Sequence, residues 1–371
     1  MPRPLRVLFA IPSLAGGGAE RVVLTLLRHL DRARFSPELA AATLSGPYAG
    51  QVPPDVPAHD LGSARARGAV LRLAALVRRT RPQVLFTTLG HLNLLAMLAR
   101  PLYGRPAPAL VARETNIPSL NLGQSPCPAL FRLLYRLLYP RFDRVVCQSR
   151  DMRDDLVEGF GVPAGRTRTI PNPVDADAVR ARAGEGGADL PPGRVNLVAA
   201  GKLMPQKGFD LLLEALALLP ADRFHLTVLG QGPLRGALED QARHLGLAGR
   251  ATFAGFQANP YPWLAAADLF VLSSRYEGLP NVVLEALTLG TPAVAFRCPG
   301  GLDGIVAEGQ NGFLAAPGDP ADLARAIRRA ADAPPERAAV AASAEPYRVE
   351  RIVREYEGLL EEAAAGRAGA A

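Results

Sequence analysis

The clearest indication of the fold class is the stretch VNLVAAGKLMPQKGFDLLLEALALL, residues 195–219. It begins with an apolar run of strand length, residues 195–201, which ends at a glycine. Residues 210–219 carry leucines at helical spacing, so a strand, a short turn and a helix follow one another. Strands that alternate with helices are typical of parallel sheets covered by helices on both faces. We therefore predict an α/β fold.

The same alternation continues on both sides of this stretch. Further strands are predicted at residues 5–11, 38–44, 83–89, 109–114, 144–149, 224–230, 251–255, 268–274 and 292–296. Further helices are predicted at residues 19–30, 70–80, 93–102, 132–141, 234–246, 281–290 and 321–332. This pattern indicates doubly wound parallel sheets of the Rossmann type.

Residues 181–194 interrupt the alternation, because they are rich in Gly, Pro and Ala and have no periodicity. We place the domain boundary in this segment. The prediction is an N-terminal Rossmann-like domain over residues 1–185, a second Rossmann-like domain over residues 186–345, and a C-terminal helix and tail over residues 346–371. We expect the carboxyl ends of the two sets of strands to face a central cleft, where open α/β sheets bind ligands.

The composition is that of a folded protein from a reducing compartment. Hydrophobic residues make up 49% and charged residues 21% of the 371 positions, which excludes disorder as the main state. The three cysteines form no CxxC pair and the five histidines form no HExxH motif, which argues against disulfides and a bound metal. No apolar run approaches the ~18 residues of a membrane span. We expect a cytoplasmic protein that is at most peripheral on the inner face of the cell membrane.

Charge is distributed unevenly along the chain. Residues 1–185 hold 25 basic and 14 acidic residues, a net charge of +11, whereas residues 186–371 have a net charge of −4. The first half therefore suits an anionic partner: a phosphorylated small molecule, an anionic membrane surface or nucleic acid. Because no helix-turn-helix or RNA-binding motif is present, we expect no nucleic-acid partner.

Two lysines stand out among the basic residues. Of the 42 basic residues 40 are Arg, and Lys202 and Lys207 are the only lysines. Both follow the predicted strand 195–201, so their ammonium groups could neutralise a diphosphate at the carboxyl end of that strand. Chance clustering in a solvated basic loop is the alternative.

The segment SRYEGLPNVVLEA, residues 274–286, has the features of a ligand-binding loop and helix start. Pro280 suits the first turn of a helix, whose backbone N–H groups at residues 281–283 would bind phosphate. Glu277 lies just before this helix and Glu285 about one turn inside it. Both carboxylates could accept hydrogen bonds from sugar hydroxyls. Alternatively, they only complement the helix dipole.

Two glycine-rich turns follow predicted strands, Gly16-Gly17-Gly18 and Gly230-Gln231-Gly232. Glycine lets a backbone approach a ligand closely. The first turn is not a dinucleotide fingerprint, because the third glycine of that motif would fall at Arg21. A plain tight turn is the alternative interpretation.

These motifs together resemble glycosyltransferase family 4, the retaining nucleotide-sugar transferases with the GT-B fold. The spacing of Glu277 and Glu285 matches the E-x7-E signature of that family. Residues 201–208 resemble its G-R-L-x-x-Q-K-G element, with Lys202 where Arg is usual. Residues 170–175, IPNPVD, resemble its I-P-N-G-V-D segment.

The resemblance implies roles for individual residues. Lys202 and Lys207 would hold the donor diphosphate, Glu277 would contact the donor sugar, and Glu285 would bind the nucleotide ribose. Lys202, Lys207 and Glu277 are thereby the expected catalytic groups. Further donor contacts are implied at Gly17, Gly18, Gly201, Gly255, Phe256, Gly278, Leu279, Asn281 and Val282. Uridine is the implied base, and no metal or other cofactor is expected.

The acceptor side departs from the family pattern. A His often follows the strand that ends near residue 114, whereas this chain has Arg113, Glu114 and Asn116 there. His91, at the end of the preceding predicted strand, is the nearest histidine. We expect these four residues to line the acceptor side.

The implied function is retaining transfer of a hexosyl or N-acetylhexosaminyl group from a UDP-sugar to a lipid-linked or saccharide acceptor in cell-envelope glycan assembly. A nucleotide-sugar epimerase of the same fold, or a transferase with a soluble small-molecule acceptor, are the alternatives. Residues 131–139, FRLLYRLLY, form a basic amphipathic segment with Arg132 and Arg136 one turn apart. Such a helix could lie on an anionic bilayer; alternatively, it is buried and its arginines reach out to solvent.

Overall fold

The computed structural model describes residues 3–63, 66–123, 125 and 127–368, except for the side chains of residues 66, 67 and 368. It divides the chain into two compact units. The first unit comprises Met1–Pro173 and Val349–Ala371, and the second comprises Val174–Arg348. Each unit is built on a sheet in which every pair of neighbouring strands is parallel.

The first unit contains a seven-stranded sheet of order β3-β2-β1-β4-β5-β6-β7. Its strands are β1 Leu5–Ile11, β2 Phe35–Ala41, β3 Ala58–Asp60, β4 Val84–Thr88, β5 Ala109–Arg113, β6 Arg144–Cys147 and β7 Thr167–Thr169. Its helices are α1 Gly18–His29, α2 Ala66–Thr80, α3 Gly90–Leu98, α4 Pro118–Leu122, α5 Pro128–Leu138 and α6 Arg150–Asp154, and a C-terminal helix joins them.

The second unit contains a six-stranded sheet of order β10-β9-β8-β11-β12-β13. Its strands are β8 Val195–Ala200, β9 Phe224–Leu229, β10 Ala251–Gly255, β11 Leu269–Leu272, β12 Ala293–Phe296 and β13 Gly312–Ala315. Its helices are α7 Ala176–Ala183, α8 Phe209–Ala217, α9 Arg235–His244, α10 Tyr261–Ala266, α11 Asn281–Thr288, α12 Pro320–Asp332 and α13 Arg337–Ala342. The prediction of two Rossmann-like units is confirmed.

The central strands are apolar throughout because helices cover both faces of each sheet. In β1, Leu8 and Ala10 lie in one buried cluster of the first unit, whereas Val7, Phe9 and Ile11 lie in another. Alternate residues of one strand therefore enter cores on opposite faces of the sheet. This explains why the sequence shows an unbroken apolar run instead of a polar–apolar alternation.

The boundary between the units differs from the predicted one. It falls between residues 173 and 174, so α7 belongs to the second unit, where Val174 and Val179 join the buried core. The backbone N–H of Val174 donates to the carbonyl of Tyr347 at 2.8 Å, which closes the second unit at both of its ends. The glycine-rich segment after α7 is a loop within the second unit.

The C-terminal helix α14, Val349–Ala368, packs on the first unit instead of forming a separate tail. Ile352, Val353 and Tyr356 are buried in the same cluster as strand β1. The Tyr356 hydroxyl accepts a hydrogen bond from Arg113 Nε at 3.2 Å. The helix thereby covers one face of the first sheet.

The predicted strand 38–44 lies three residues earlier, at β2. β2 contains Pro37, and it pairs with β3 only from Leu39 onwards. Proline is tolerated where a strand is still an edge, because no neighbour there needs its missing N–H. Strands β3, β7 and β13 were missed, since three or four residues are too few for a periodic pattern.

Replacing Tyr356 by Ala should destabilise the first unit. Removal of a fully buried aromatic side chain costs about 3–5 kcal/mol of unfolding free energy. The single tryptophan, Trp263, lies in α10 of the second unit, so its fluorescence reports that unit while circular dichroism reports both. We expect Tyr356→Ala to lower the urea midpoint of a circular dichroism transition and to leave the Trp263 transition in place.

The matched control is Leu71→Ala, because Leu71 is 72% exposed on a helix of the same unit; we expect a change within about 0.5 kcal/mol. A shift of the Trp263 transition alone in the Tyr356 variant would contradict the assignment of α14 to the first unit.

Candidate active site

The second sheet reverses its winding direction between β8 and β11. The chain runs from β8 outward through β9 and β10, then returns to the other side of β8 with β11. Ligands of doubly wound sheets bind outside the carboxyl ends of the strands at such a switch point. The two loops that begin there are residues 201–208 after β8 and residues 273–280 after β11. They contain both lysines and the first of the two predicted acids.

An ion pair joins these two loops. Lys207 Nζ lies 2.5 Å from Glu277 Oε1, and the side chains are only 19% and 7% exposed, respectively. The Ser274 hydroxyl donates to the same carboxylate oxygen at 2.5 Å. Because little water surrounds the pair, its attraction is stronger than that of a surface pair. The structure thus brings Lys207 and Glu277 together at the switch point.

Further hydrogen bonds fix the loops against each other. The backbone N–H of Arg275 donates to the carbonyl of Gln206 at 2.8 Å, and Gln206 Nε2 donates to the carbonyl of Tyr276 at 2.9 Å. The Arg275 guanidinium binds both carboxylate oxygens of Asp210, at 2.9 and 2.6 Å. Its hydrogen bonds lower the pKa of the Asp210 carboxyl. These bonds between the two loops hold Lys207 and Glu277 close to each other.

Glycine is required in the lysine loop for steric reasons. Gly208 has a φ of +60°, and a Cβ there would lie 2.0 Å from the carbonyl oxygen of Ser273. A Cβ on Gly201 would lie 3.3 Å from Lys207 Cε, so a glycine at this position leaves room for the lysine side chain. Lys202 is in the same loop and is exposed.

The second glycine turn supports the lysine loop. A Cβ on Gly230 would lie 1.9 Å from the carbonyl oxygen of Gly201, and one on Gly232 would lie 2.3 Å from that of Leu203. The backbone N–H of Leu203 also donates to the carbonyl of Gln231 at 2.9 Å. These glycines allow two backbones to pack closely.

Helix α11 starts where it was predicted to start, with Pro280 as its N-cap and Asn281 as its first residue. Asn281 and Val282 are half-buried in the first turn. The backbone N–H of Val283 donates to the carbonyl of Pro280 at 3.0 Å. The prediction that the amides of residues 281–283 all face a ligand is therefore wrong for Val283.

Glu285 lies in the second turn of α11 and is 4% exposed. Its Oε1 is 3.5 Å from the hydroxyl of Tyr261, and the Arg182 guanidinium carbon lies 5.0 Å from the centre of the Tyr261 ring. A cation over this face of the ring holds the phenol by cation–π attraction. Sequence reasoning missed Tyr261 and Arg182, because they come from α10 and α7.

The segment between the two acids rests on the loop after β12. Glu277 N–H donates to the carbonyl of Pro299 at 3.0 Å, and Gly301 N–H donates to the carbonyl of Gly278 at 3.1 Å. Leu279 is only 8% exposed and belongs to the core of the second unit. Gly278 and Leu279 therefore position the acid loop through their backbone and packing.

Two other predicted donor residues lie at the carboxyl end of β10. Gly255 ends this strand with a φ of +74°, and its carbonyl accepts the N–H of Gly230 at 2.7 Å. Phe256 comes next and is 46% exposed. An exposed aromatic ring at the carboxyl edge of the sheet offers a stacking surface to a flat ligand.

The glycine turn of the first unit lies at the start of α1. Gly17 is the N-cap and Gly18 the first helical residue. A Cβ on Gly17 would lie 2.3 Å from Glu20 Oε2, so the buried Glu20 carboxylate packs against the turn. Burial raises the pKa of this carboxyl. Sequence reasoning missed Glu20, although a carboxylate two residues after the glycines was a visible signal.

Arg113, one of the four predicted acceptor-side residues, is buried. It is 1% exposed and donates to the side-chain oxygens of Asn172, at 2.6 Å, and of Thr88, at 3.3 Å. These bonds join the ends of β5 and β4 to the segment that leaves the first unit. The guanidinium is thus engaged in internal hydrogen bonds, and its place on the acceptor side stays a prediction.

Glu114 is buried as well, at 2% exposure. Its Oε2 accepts hydrogen bonds from the hydroxyls of Tyr135, at 3.1 Å, and of Tyr139. Burial raises the pKa of the Glu114 carboxyl. The place of Glu114 on the acceptor side likewise stays a prediction. His91, the second residue of α3, is exposed and Asn116 is half-buried, so these two are accessible to a ligand.

The described part of the chain leaves out residues 1–2, 64–65, 124, 126 and 369–371. Within that part, no three His, Cys, Asp or Glu side chains are grouped so that they could hold a metal ion. Within the same residues, no helix has the length and apolar character needed to span a bilayer.

Two family models match the chain. The model described as Glycosyltransferase Family 4 matches residues 16–178, and the model described as Glycosyl transferases group 1 matches residues 194–333. The first match covers most of the first unit and runs a few residues past its boundary at residue 173, and the second match lies within the second unit.

Named relatives agree with these matches. The chain is 40% identical over 141 residues to the lipopolysaccharide core biosynthesis glycosyltransferase LpsE of Rhizobium meliloti. The aligned region makes up 38% of this chain and 41% of the relative. This chain thus spans about two fifths of that relative's length. It is 28% identical to the Campylobacter jejuni N-acetylgalactosamine-N,N'-diacetylbacillosaminyl-diphospho-undecaprenol 4-alpha-N-acetylgalactosaminyltransferase, over 82% of this chain and 84% of the relative.

A solved structure shares the fold. The structure of Anabaena Alr3699/HepE in complex with UDP is similar with a TM-score of 0.77 at 22% identity, over 96% of this chain and 100% of the other. The two Rossmann-like units and this likeness confirm the GT-B fold class that was predicted from the sequence.

Breaking the ion pair on one side only should destabilise the second unit. Lys207→Met leaves the Glu277 carboxylate buried without its counter-charge, which typically costs about 3–5 kcal/mol. In the double variant, Glu277→Gln should restore part of this loss. The destabilisation of the double variant should therefore be smaller than the sum of the two single effects by roughly 1–3 kcal/mol. Urea unfolding monitored by Trp263 fluorescence measures the cycle.

The control cycle uses Arg243→Met and Asp240→Asn, an ion pair whose side chains are 74% and 56% exposed. Its coupling should stay below about 0.5 kcal/mol. Additive effects of the Lys207 and Glu277 substitutions would contradict the close pairing of these side chains.

Proposed function

We propose that this chain, which belongs to glycosyltransferase family 4, transfers a sugar from a nucleoside diphosphate sugar to an acceptor. The observation that carries this proposal is the Lys207–Glu277 pair at the switch point of the second sheet, next to the start of α11. A cation, a carboxylate and a helix N-terminus at one edge match the parts of such a donor: phosphates, sugar hydroxyls and ribose.

The lysines and α11 would stabilise the leaving diphosphate. As the bond between the sugar and the diphosphate breaks, negative charge grows on the phosphate oxygens. Lys207 Nζ has three N–H donors, and its bond to Glu277 uses one of them. Lys202 adds a second cation from the same loop, and the first turn of α11 adds the positive end of a helix dipole. Groups held in place in this way need no reorganisation during the reaction.

The carboxylates would bind hydroxyl groups of the donor. Glu285 is buried in the second turn of α11, where it would accept hydrogen bonds from the vicinal hydroxyls of ribose. Glu277, held by Lys207 and Ser274, would contact the donor sugar. The ring of Phe256 would stack on the base. Uracil is proposed as that base, supported by the Anabaena neighbour that was solved with UDP.

The reaction would proceed with retention of configuration and without a metal. The acceptor hydroxyl approaches the face from which the diphosphate leaves, and a new carbon–oxygen bond forms as the old one breaks. The hydroxyl proton passes to an oxygen of the leaving phosphate. No side chain of this protein then has to act as a nucleophile.

We propose a lipid-linked saccharide as acceptor, in the assembly of a cell-envelope glycan at the cytoplasmic face of the membrane. The transferred group would be a hexosyl or N-acetylhexosaminyl residue. Two observations support this choice. The first 185 residues carry a net charge of +11, which suits a diphosphate-linked lipid. The Campylobacter relative is named for transfer to a diphospho-undecaprenol saccharide.

Donor binding is tested by calorimetry with UDP and uridine. Lys202→Met should weaken UDP binding about 10- to 100-fold, the usual value of a charged hydrogen bond, and leave uridine binding unchanged. Glu285→Gln should weaken both ligands, because it acts on the ribose. Arg243→Met is the control, since this exposed cation lies at the end of α9 away from the carboxyl edge of the sheet.

Product analysis with a UDP-sugar and an isolated lipid-linked acceptor fraction tests the reaction itself. A glycosylated lipid with the anomeric configuration of the donor is expected. An isomerised nucleotide sugar, formed without acceptor, would contradict transfer. Equal loss of UDP and uridine binding in Lys202→Met would contradict the role of this lysine.

A further inference from the structure

Helix α5 exposes an unusual set of leucines. Leu130, Leu133 and Leu137 are 53%, 52% and 49% exposed. Their spacing of three and four residues places them in one row along the helix, which we name the leucine stripe. Leu120 of the preceding helix α4 is also 39% exposed. Isolated exposed leucines are ordinary, but an apolar row on one helix indicates a contact surface.

The orientation of α5 is fixed from its other side. Tyr135 and Leu138 are buried in the first unit. The Tyr135 ring stacks on Tyr139 with ring centres 4.2 Å apart, and its hydroxyl donates to the buried carboxylate of Glu114. The helix therefore cannot turn the leucine stripe inward without breaking a buried hydrogen bond. Glu114, which the donor chemistry does not use, helps to hold the stripe outward.

Positive charge lies beside the stripe. Arg132 and Arg136 are exposed and one helical turn apart, and α5 itself contains no acidic residue. Arg136 Nε donates to the carbonyl of Gly159 at 3.3 Å. Of the neighbouring acids, Asp155 accepts the backbone N–H of Ser119 at 3.0 Å, so its charge is partly engaged at the start of α4.

We propose that α5 docks this protein on an anionic phospholipid bilayer, with the leucine stripe among the acyl chains and Arg132 and Arg136 at the lipid phosphates. Apolar side chains that border arginines are the arrangement by which helices lie in a membrane interface. A second copy of the chain is the competing occupant. A symmetric contact through the stripe would bring the arginines of both copies close together, and like charges disfavour that arrangement.

Membrane docking adds a partner, the bilayer, to the proposed function. It rests on the proposed function only through the lipid-linked acceptor. Binding of the donor to the second unit does not depend on it. The two ideas can therefore fail separately.

Co-sedimentation with vesicles tests the proposal. The full chain should bind vesicles that contain phosphatidylglycerol more tightly than vesicles of phosphatidylcholine alone, and added salt should weaken the binding. Replacing the three stripe leucines by Gln should lower the partition coefficient at least about tenfold, because their insertion is lost. Arg132→Gln with Arg136→Gln should remove the preference for anionic lipid.

The matched control replaces Leu71, Leu218 and Leu245 by Gln. These residues are 72%, 58% and 36% exposed but lie on other elements, and their replacement should leave vesicle binding unchanged. UDP binding by calorimetry should be the same in all these variants, which separates the docking surface from the donor site.

Insertion can be observed directly through a cysteine. Cys127, the N-cap of α5, is exposed, whereas Cys147 and Cys298 are buried. An environment-sensitive fluorophore on Cys127 should shift to shorter wavelength with anionic vesicles and be quenched by brominated lipid. No vesicle binding at low salt, or equal binding by the leucine variant, would overturn the proposal. A dimer that the leucine variant abolishes, without vesicle binding, would assign the stripe to a second copy.

Discussion

The candidate active site depends on one ion pair, Lys207 with Glu277, and on the strand order that makes it possible. Each partner stands on a loop after a different strand, some 70 positions apart in the chain. Only because β8 and β11 are neighbours do the two loops meet. Hydrogen bonds between the loop backbones and the glycine at position 208 then leave the side chains little freedom. The proposed donor site rests on this charged pair, whose side chains have low exposure.

Much of this arrangement could be predicted from the sequence, because its signals are local. Glycine and proline marked the loop and the start of α11, and two lysines stood out in an arginine-rich chain. The contacts of Glu285 with Tyr261, and through its ring with Arg182, could not be predicted. They join three helices that are distant in the chain, and no periodic pattern reports such pairings. The unit boundary escaped prediction for the same reason, since it depends on a bond between residues 174 and 347.

In the first unit, residue type alone did not show which polar side chains are bonded internally. Arg113 ends strand β5 and Glu114 follows it, so polar chemistry at this edge suggested an acceptor site. The structure shows instead that both are satisfied internally, by Asn172, Thr88 and two tyrosines. Buried polar groups are stable only when such partners exist, and the partners come from remote segments. The bonds to Glu114 fix the inner side of helix α5, whose leucines on the outer side are exposed.

The most direct test of the donor-site account is a crystal structure of the protein with UDP. We expect diphosphate oxygens within about 3 Å of Lys207 Nζ, the first turn of α11 beside them, and the ribose hydroxyls on Glu285. A diphosphate bound at any other edge of the second sheet, with Lys207 still held by Glu277 alone, would contradict it.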